Sequence, residues 1–173
     1  MVRRILGPPG EFDVPAFANR WFHWSEISDC FWPGRGRRSE KAKPELAAAR
    51  NLGGVYLMAW CDLAPTVLAP TAKELQYIGE TNSFKNRMTG FGRSAGFWGE
   101  RDDGHGPAWH WPKGRNRHLW VVFFQIPIEP LPKHLADGLR KWMEAVALEE
   151  YRHVHGVLPP LQVASKHNRA IRL

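Results

Sequence analysis

Arg87 and Glu150 are charged residues whose spacing puts them among apolar side chains. Arg87 follows Phe84 by three positions and precedes Phe91 by four, so on a helix its guanidinium shares their apolar face and needs an anionic partner. Glu150 has valines four positions before and after it, which directs its carboxylate along the buried side of a second helix. Such a cation and carboxylate could bind a phosphate and a metal ion.

Two tyrosines could complete such a site. Tyr56 and Tyr77 lie in segments rich in aliphatic and aromatic residues, and both phenols could face one surface of a sheet. A carboxylate that holds Mg²⁺, a guanidinium that clamps a phosphate and a phenol that relays a proton together suit phosphodiester hydrolysis. The structural alternative is a buried ion pair between Arg87 and Glu150 beside two ordinary core tyrosines.

The segments that carry these residues show helical or strand patterns. Strands are predicted over 54–60, 75–79 and 118–126, where aliphatic and aromatic residues concentrate. Helices are predicted after Pro44, from Phe84 to the glycines at 90 and 92, and from Leu135 to Val154. Residues 93–117 have no sustained period, which predicts a long loop or insertion.

Two tripeptides and an arginine give the chain a family resemblance. Gly54-Val55-Tyr56 is followed by Tyr77-Ile78-Gly79, and Arg87 comes ten residues after the second tyrosine. With a glutamate on the downstream helix, this order resembles the GIY-YIG nuclease family over roughly residues 52 to 162. The two tyrosines are 21 residues apart, which is longer than in compact members of the family. In this respect the chain is closest in pattern to the restriction-endonuclease branch, whose hairpins carry insertions.

The resemblance implies a fold and a division of roles. The fold would be α+β, with a small three-stranded antiparallel sheet flanked by helices, an N-terminal arm and a long insertion before the third strand. Tyr56 would be the general base or water-positioning phenol, and Tyr77 its hydrogen-bonding partner at the scissile phosphate. Arg87 would stabilise the pentacovalent phosphate, and the helix glutamate would bind one Mg²⁺ or Mn²⁺ per active site.

Three positions leave alternatives open or depart from the family pattern. The residue before Glu149 matches the family pattern, whereas the residues after Glu150 match it. Glu150 is favoured as the metal ligand, since it shares a helix face with the flanking valines. Family members usually carry an asparagine about twelve residues after the glutamate. Here its counterpart is either Gln162 or Asn168, and the polar residues around Asn168 favour Asn168. Phe91 stands where many members have Tyr or His, so a second catalytic group would come from elsewhere.

The charge of the chain favours an anionic partner. The 173 residues include 24 Lys and Arg against 17 Asp and Glu, a net charge of +7, and DNA is the first candidate. Basic side chains that could contact DNA are Arg35, Arg37, Arg38, Lys85, Arg115 and Arg117. The N-terminal arm with its short helix (1–50) and the insertion (93–117) would contact the substrate, while residues 51–173 form the nuclease-like domain.

These observations predict a metal-dependent DNA endonuclease, sequence-specific and of the restriction type, that hydrolyses phosphodiester bonds. The alternatives are a structure-specific or single-strand repair nuclease and a catalytically decayed DNA-binding module. Cutting both strands would require a homodimer or sequential nicking. The sequence contains no run of about 20 apolar residues, and its first residues lead directly into Gly7-Pro8-Pro9, so we expect a cytoplasmic protein without a membrane partner.

Overall fold

The computed structural model describes residues 12–32, 44–99, 105–112, 115–126 and 131–162. These residues form an α+β fold with one antiparallel sheet of four strands and four α-helices. The strands are β1 (Phe22–His23), β2 (Gly54–Trp60), β3 (Leu75–Thr81) and β4 (Leu119–Gln125). The helices are α1 (Trp24–Phe31), α2 (Pro44–Ala49), α3 (Phe84–Ser94) and α4 (Lys133–His155), and 3₁₀ turns span Phe17–Asn19 and Gly106–His110.

The prediction of a three-stranded sheet is wrong, because a fourth strand lies at one edge. β1 pairs with β4, so that Phe22 is opposite Val121 and His23 is opposite Trp120, and the spatial order is β1-β4-β2-β3. A strand of two residues is too short to show alternation in a sequence, and only its partner strand defines it. This pairing places part of the expected N-terminal arm within the main fold.

The sheet separates two hydrophobic cores, because side chains alternate between its faces. One face carries Tyr56 and packs against α1, α2 and α3. The other face carries Val55 and Leu57 and packs against Met143 and Ala147 of α4. Side chains of α3 and α4 can therefore meet only around an edge of the sheet, and β3 is the edge strand along which α4 lies.

The helix ends differ in part from the sequence expectation. α3 continues through Gly90 and Gly92 to Ser94. Gly92 is accommodated because the Trp98 ring packs where a side chain would begin, with a ring atom 2.6 Å from the position of a Cβ. α4 ends at Gly156, whose φ of 73° is the left-handed conformation that glycine adopts easily.

The described part of the predicted insertion is ordered around the 3₁₀ turn Gly106–His110. His105, immediately before this turn, is buried, and Trp111 after it is 1% exposed. The segment therefore packs against the sheet rather than extending from it. Within the described ranges, no helix is both long enough and apolar enough to cross a membrane.

Candidate active site

The two tyrosines lie side by side on the same face of β2 and β3. Their ring centroids are 6.0 Å apart, and both side chains are buried, Tyr56 at 0% and Tyr77 at 8% exposure. Gly79 is directly opposite Tyr56 across the two strands. A Cβ at Gly79 would stand 2.5 Å from the Tyr56 hydroxyl, so the absence of a side chain makes room for that hydroxyl.

His105 completes a compact cluster with the tyrosines. Its Nε2 lies 3.2 Å from the Tyr56 hydroxyl, and its ring contacts the Tyr77 ring edge to face at 5.4 Å. The Ser94 hydroxyl accepts a hydrogen bond of 2.8 Å from the backbone N–H of His105, which anchors the loop to the end of α3. His105 Nδ1 has no hydrogen-bond partner among the described residues.

Burial and neighbouring charges shift the pKa values of all three groups. Burial raises the pKa of Tyr56 well above its usual value, and burial together with the charge of Glu144 raises the pKa of Tyr77 to about 12. Burial and the nearby Arg87 charge lower the pKa of His105 to about 3. The phenols are therefore protonated and the imidazole neutral around pH 7.

Arg87 reaches the sheet edge from α3. Its Nη2 donates a 3.2 Å hydrogen bond to the backbone carbonyl of Glu80, and its charge lowers the pKa of both tyrosines. It lines a cavity of about 270 Å³ together with Glu80, Thr81, Asn82, Asp137, Arg140 and Lys141. In this cavity Arg140, which is only 4% exposed, pairs with Glu80 at 3.3 Å and with Asp137. Because Arg140 is paired with these two carboxylates, the guanidinium of Arg87 and the ammonium of Lys141 are the cations that could bind a phosphate in the cavity.

Glu144 is the glutamate of α4 that faces this site. It is half-buried, and burial together with the Glu80 charge raises its pKa to about 7, while the Arg87 charge lowers it. The Glu144 charge in turn raises the pKa of Tyr56 and Tyr77. Electrostatic interactions therefore link a carboxylate of α4 and a guanidinium of α3 to the two phenols of β2 and β3.

The structure places the two expected metal ligands away from the tyrosines. Glu150 Oε1 accepts a 2.7 Å hydrogen bond from the backbone N–H of Phe12, and Glu149 forms an exposed pair with Arg152 at 2.5 Å. Six residues of α-helix turn through about 600°, so Glu150 points roughly 120° away from Glu144 around the axis. The expectation relied on Val154 as a buried marker, but that side chain is 56% exposed.

One of the two candidate amides lies next to the site. Gln162 Oε1 accepts a 3.2 Å hydrogen bond from the backbone N–H of Ile78, beside Tyr77 on the outer edge of β3. The backbone N–H of Leu161 donates to the Gln76 carbonyl at 2.8 Å, which holds this segment along the strand. Asn168, the favoured candidate, lies outside the described residues.

The predicted DNA-contacting residues fall into three groups. Arg35, Arg37 and Arg38 lie outside the described residues. Lys85 is half-buried in the first turn of α3, where its backbone N–H donates to the Arg50 carbonyl at 3.1 Å. Arg115 and Arg117 are exposed at the start of the segment that leads into β4.

Two residues that sequence reasoning did not assign to the site are Glu144 and His105. Glu144 lies six positions before the favoured glutamate, and only the α4 packing distinguishes the two. His105 lies in a glycine-rich stretch without a period, so nothing in the local pattern ties it to Tyr56. The position four residues after Arg87 is Phe91, and its ring contacts His105 at 5.5 Å. The loop thus places an imidazole against Phe91, which itself has no hydrogen-bonding group.

The oxygen atoms at the β3 edge are of the type that binds Mg²⁺ or Mn²⁺. Mg²⁺ is commonly held by one or two carboxylates, with waters and substrate phosphate as its other ligands. The charge of Glu80, which is itself paired with Arg140, raises the pKa of Glu144, and a cation beside Glu144 would relieve this repulsion. No group of three or more His, Cys, Asp or Glu side chains suited to a metal occurs in the described part of the chain. The residues thus fit a cation whose remaining ligands are waters and substrate.

Comparisons of the chain with protein-family models, curated proteins and solved structures find no match.

Proposed function

We propose that this protein is a metal-dependent DNA endonuclease that hydrolyses phosphodiester bonds. The observation that carries the proposal is the meeting of Tyr56, Tyr77, Arg87 and Glu144 at one sheet edge. These side chains come from four different elements, and their chemistry matches what the sequence pattern implies. We assign the metal-ligand role to Glu144 in place of Glu150, because the charge of Glu144 acts on both tyrosines and is affected by that of Arg87, whereas the Glu150 carboxylate accepts a hydrogen bond from the Phe12 backbone.

In the proposed reaction, water attacks phosphorus and the bond to the leaving oxygen breaks. Arg87 donates hydrogen bonds to the phosphate oxygens, whose negative charge grows in the transition state. Tyr77, the less buried of the two phenols, binds the same phosphate. Glu144, with Glu80 beside it, would hold Mg²⁺ or Mn²⁺, which supplies positive charge that stabilises the leaving oxygen.

Tyr56 and His105 form the proton path in this proposal. The phenol is protonated at neutral pH, so Tyr56 can accept a proton from water only if it passes its own proton on. His105 Nε2, 3.2 Å from the hydroxyl, is the available acceptor. An anionic phosphate beside Arg87 would offset the charge that lowers the pKa of His105, and the imidazole would become a better base when substrate binds.

The burial of Tyr56 adds a requirement for this reaction. Its side chain is fully buried under His105 and Gly79, so water reaches the hydroxyl only when the 105–112 segment shifts. DNA binding would supply that shift. The same burial favours the second candidate function, a DNA-binding module that no longer cleaves.

The proposal is tested by incubating the purified protein with plasmid and phage DNA in Mg²⁺, Mn²⁺ or EDTA. Discrete fragments that require the metal and disappear in Arg87→Ala would establish a sequence-specific enzyme of the restriction type. Smears or nicks, with preference for branched or single-stranded DNA, would favour the repair nuclease. Intact DNA that binds in a salt-sensitive manner would favour the non-catalytic module.

Arg87→Lys is the matched control, since it keeps the positive charge but loses the bidentate fork that a phosphate accepts. We expect partial activity from Arg87→Lys and none from Arg87→Ala, with both proteins folded by circular dichroism. Unfolding of both variants would instead indicate that Arg87 is a structural residue held by Glu80. A homodimer, with one active site in each copy, could cut both strands of a palindrome. Sedimentation of the protein with its DNA would show whether two copies bind together.

A further inference from the structure

A second cleft lies at the other end of β2, away from the catalytic cavity. It has a volume of about 530 Å³, and its walls include Trp60, Asp62, Arg115, Arg117 and His118. Trp60 ends β2, and His118 immediately precedes β4, so neighbouring strands position both rings. Two neighbouring strands therefore position part of the cleft, and Arg115 and Arg117 line it from the segment before β4.

The charges in the cleft are unbalanced in favour of cations. Asp62 is its only acidic side chain, and Asp62 Oδ1 lies 2.8 Å from His118 Nδ1. Arg115 and Arg117 are exposed, and neither pairs with a carboxylate of the described residues. Both backbones are held, since the Arg115 carbonyl accepts from Trp111 Nε1 at 2.7 Å and the Arg117 carbonyl lies 3.0 Å from His23 Nε2. Two guanidinium groups that pair with no carboxylate in the described part of the chain are suited to bind phosphate groups.

A row of contacting aromatic rings, most of them buried, joins this cleft to the candidate active site. Trp60 stacks on Trp111 at 5.3 Å, Trp111 contacts Phe91 at 5.5 Å, and Phe91 contacts His105 at 5.5 Å. Tyr56 and Trp60 are four residues apart on β2, which separates them by about 13 Å along the strand. Because α1, α2 and α3 cover this face of the sheet, a DNA strand bound at the tyrosine site would pass outside this layer, and it would reach the cleft within a few nucleotides.

We propose that this cleft binds the sugar-phosphate backbone of the substrate DNA a few nucleotides from the scissile phosphate, with Arg115 and Arg117 as its phosphate ligands. The proposal rests on the proposed function for the identity of the ligand. It gives the two arginines a positioning role, separate from Arg87, which contacts the phosphate that reacts.

The test is the salt dependence of binding to a labelled DNA duplex in EDTA, where no cleavage occurs. Each phosphate contact that is lost should flatten the slope of log K against log salt by about 0.9. We therefore expect a slope flatter by about 0.9 for Arg115→Gln and for Arg117→Gln, and by about twice that for the double variant. Arg152→Gln on α4 removes the same charge from an exposed residue that does not line the cleft and should keep the wild-type slope.

Protection of Cys61 provides a second measurement. Its thiol lines the cleft, whereas the chain's other cysteine, Cys30, is buried. Added duplex should slow the reaction of Cys61 with a maleimide in the wild-type protein but not in the double arginine variant. Burial and two nearby carboxylates raise the pKa of Cys61 to about 11, so the reaction is run at alkaline pH, where more thiolate forms.

The outcomes separate this proposal from the nuclease proposal. Unchanged salt slopes in both arginine variants, with unprotected Cys61, would overturn the cleft proposal even if the protein cleaves DNA. Arginine-dependent slopes without any metal-dependent cleavage would support the cleft and count against the nuclease. Arginine-dependent binding of polyglutamate but not of DNA would overturn the proposal and indicate an acidic protein partner.

Discussion

The Tyr56 hydroxyl lies 3.2 Å from His105 Nε2, although 49 residues separate the two in the chain. Both side chains are buried, and the imidazole is neutral around pH 7, because burial and Arg87 disfavour its charged form. A neutral imidazole is the form that can accept a proton from a phenol. This contact makes His105 the residue through which the proposed activity of Tyr56 can be tested.

Replacement of His105 should reduce cleavage through Tyr56. His105→Phe retains an aromatic ring without a proton acceptor, and we expect a loss of about 10²-fold or more in single-turnover rate. His105→Gln, which keeps an amide able to bond the hydroxyl, should lose less. Tyr56→Phe added to His105→Phe should cost nothing further, because the two residues act as one unit. Additive losses in this double-mutant cycle would show that His105 acts independently of Tyr56.

The contribution of His105 to the stability of the fold should fall as pH drops from about 6.5 to about 3. The pKa of His105 is about 3 in the fold against 6.5 when exposed, so the unfolded chain binds the proton first and acid favours unfolding. Glu144 has the opposite effect, because its pKa of about 7 in the fold lies above its usual 4.5. Urea unfolding of wild type and His105→Gln across this range isolates the histidine. Parallel curves for the two proteins would contradict the burial of a neutral imidazole.

The two helix glutamates should differ sharply in their effect on cleavage. Glu144→Gln should lower the rate by about 10³-fold, because it removes the proposed metal ligand and the several kcal/mol that a metal supplies. Glu150→Gln should retain cleavage, since that carboxylate bonds only the Phe12 backbone among the described residues. Metal titrations of both variants provide the measurement. Loss of activity in Glu150→Gln alone, with folding intact, would restore Glu150 as the ligand.

A methyl group at Gly79 should disturb the tyrosine pair. The added Cβ would lie 2.5 Å from the Tyr56 hydroxyl and 2.7 Å from a Tyr77 ring carbon, and buried rings cannot move far. We expect Gly79→Ala to cost about 1–3 kcal/mol of unfolding free energy and to impair cleavage. Gly138→Ala is the control, because its Cβ would meet open space on α4 and should stabilise the helix by about 1 kcal/mol. An unaffected melting temperature in Gly79→Ala would show that the strand pair can adjust.

The long strands and helices could be predicted from local pattern. β2, β3 and β4 are runs of aliphatic and aromatic residues, and the core positions of α4 recur with the helical period. β1 could not be predicted, since two residues carry no period and His23 owes its place to pairing with Trp120. The end of α3 could not be predicted from local pattern either. Gly92 lies within the helix because the Trp98 ring occupies the space of a side chain, and helix propensity does not account for it.

The sequence by itself determined the types and order of the residues at the candidate site. The pattern of the residues indicated that Tyr56 and Tyr77 could face one surface of a sheet, and the resemblance to the GIY-YIG family implied that Arg87 joins them. Only the tertiary structure decided which glutamate joins them. Residues of α4 differ in direction by 100° each, so the packing of the helix against β3 is the reason that we propose Glu144 and not Glu150 as the site glutamate. The same holds for His105, because a loop without a period is positioned only by the contacts it makes.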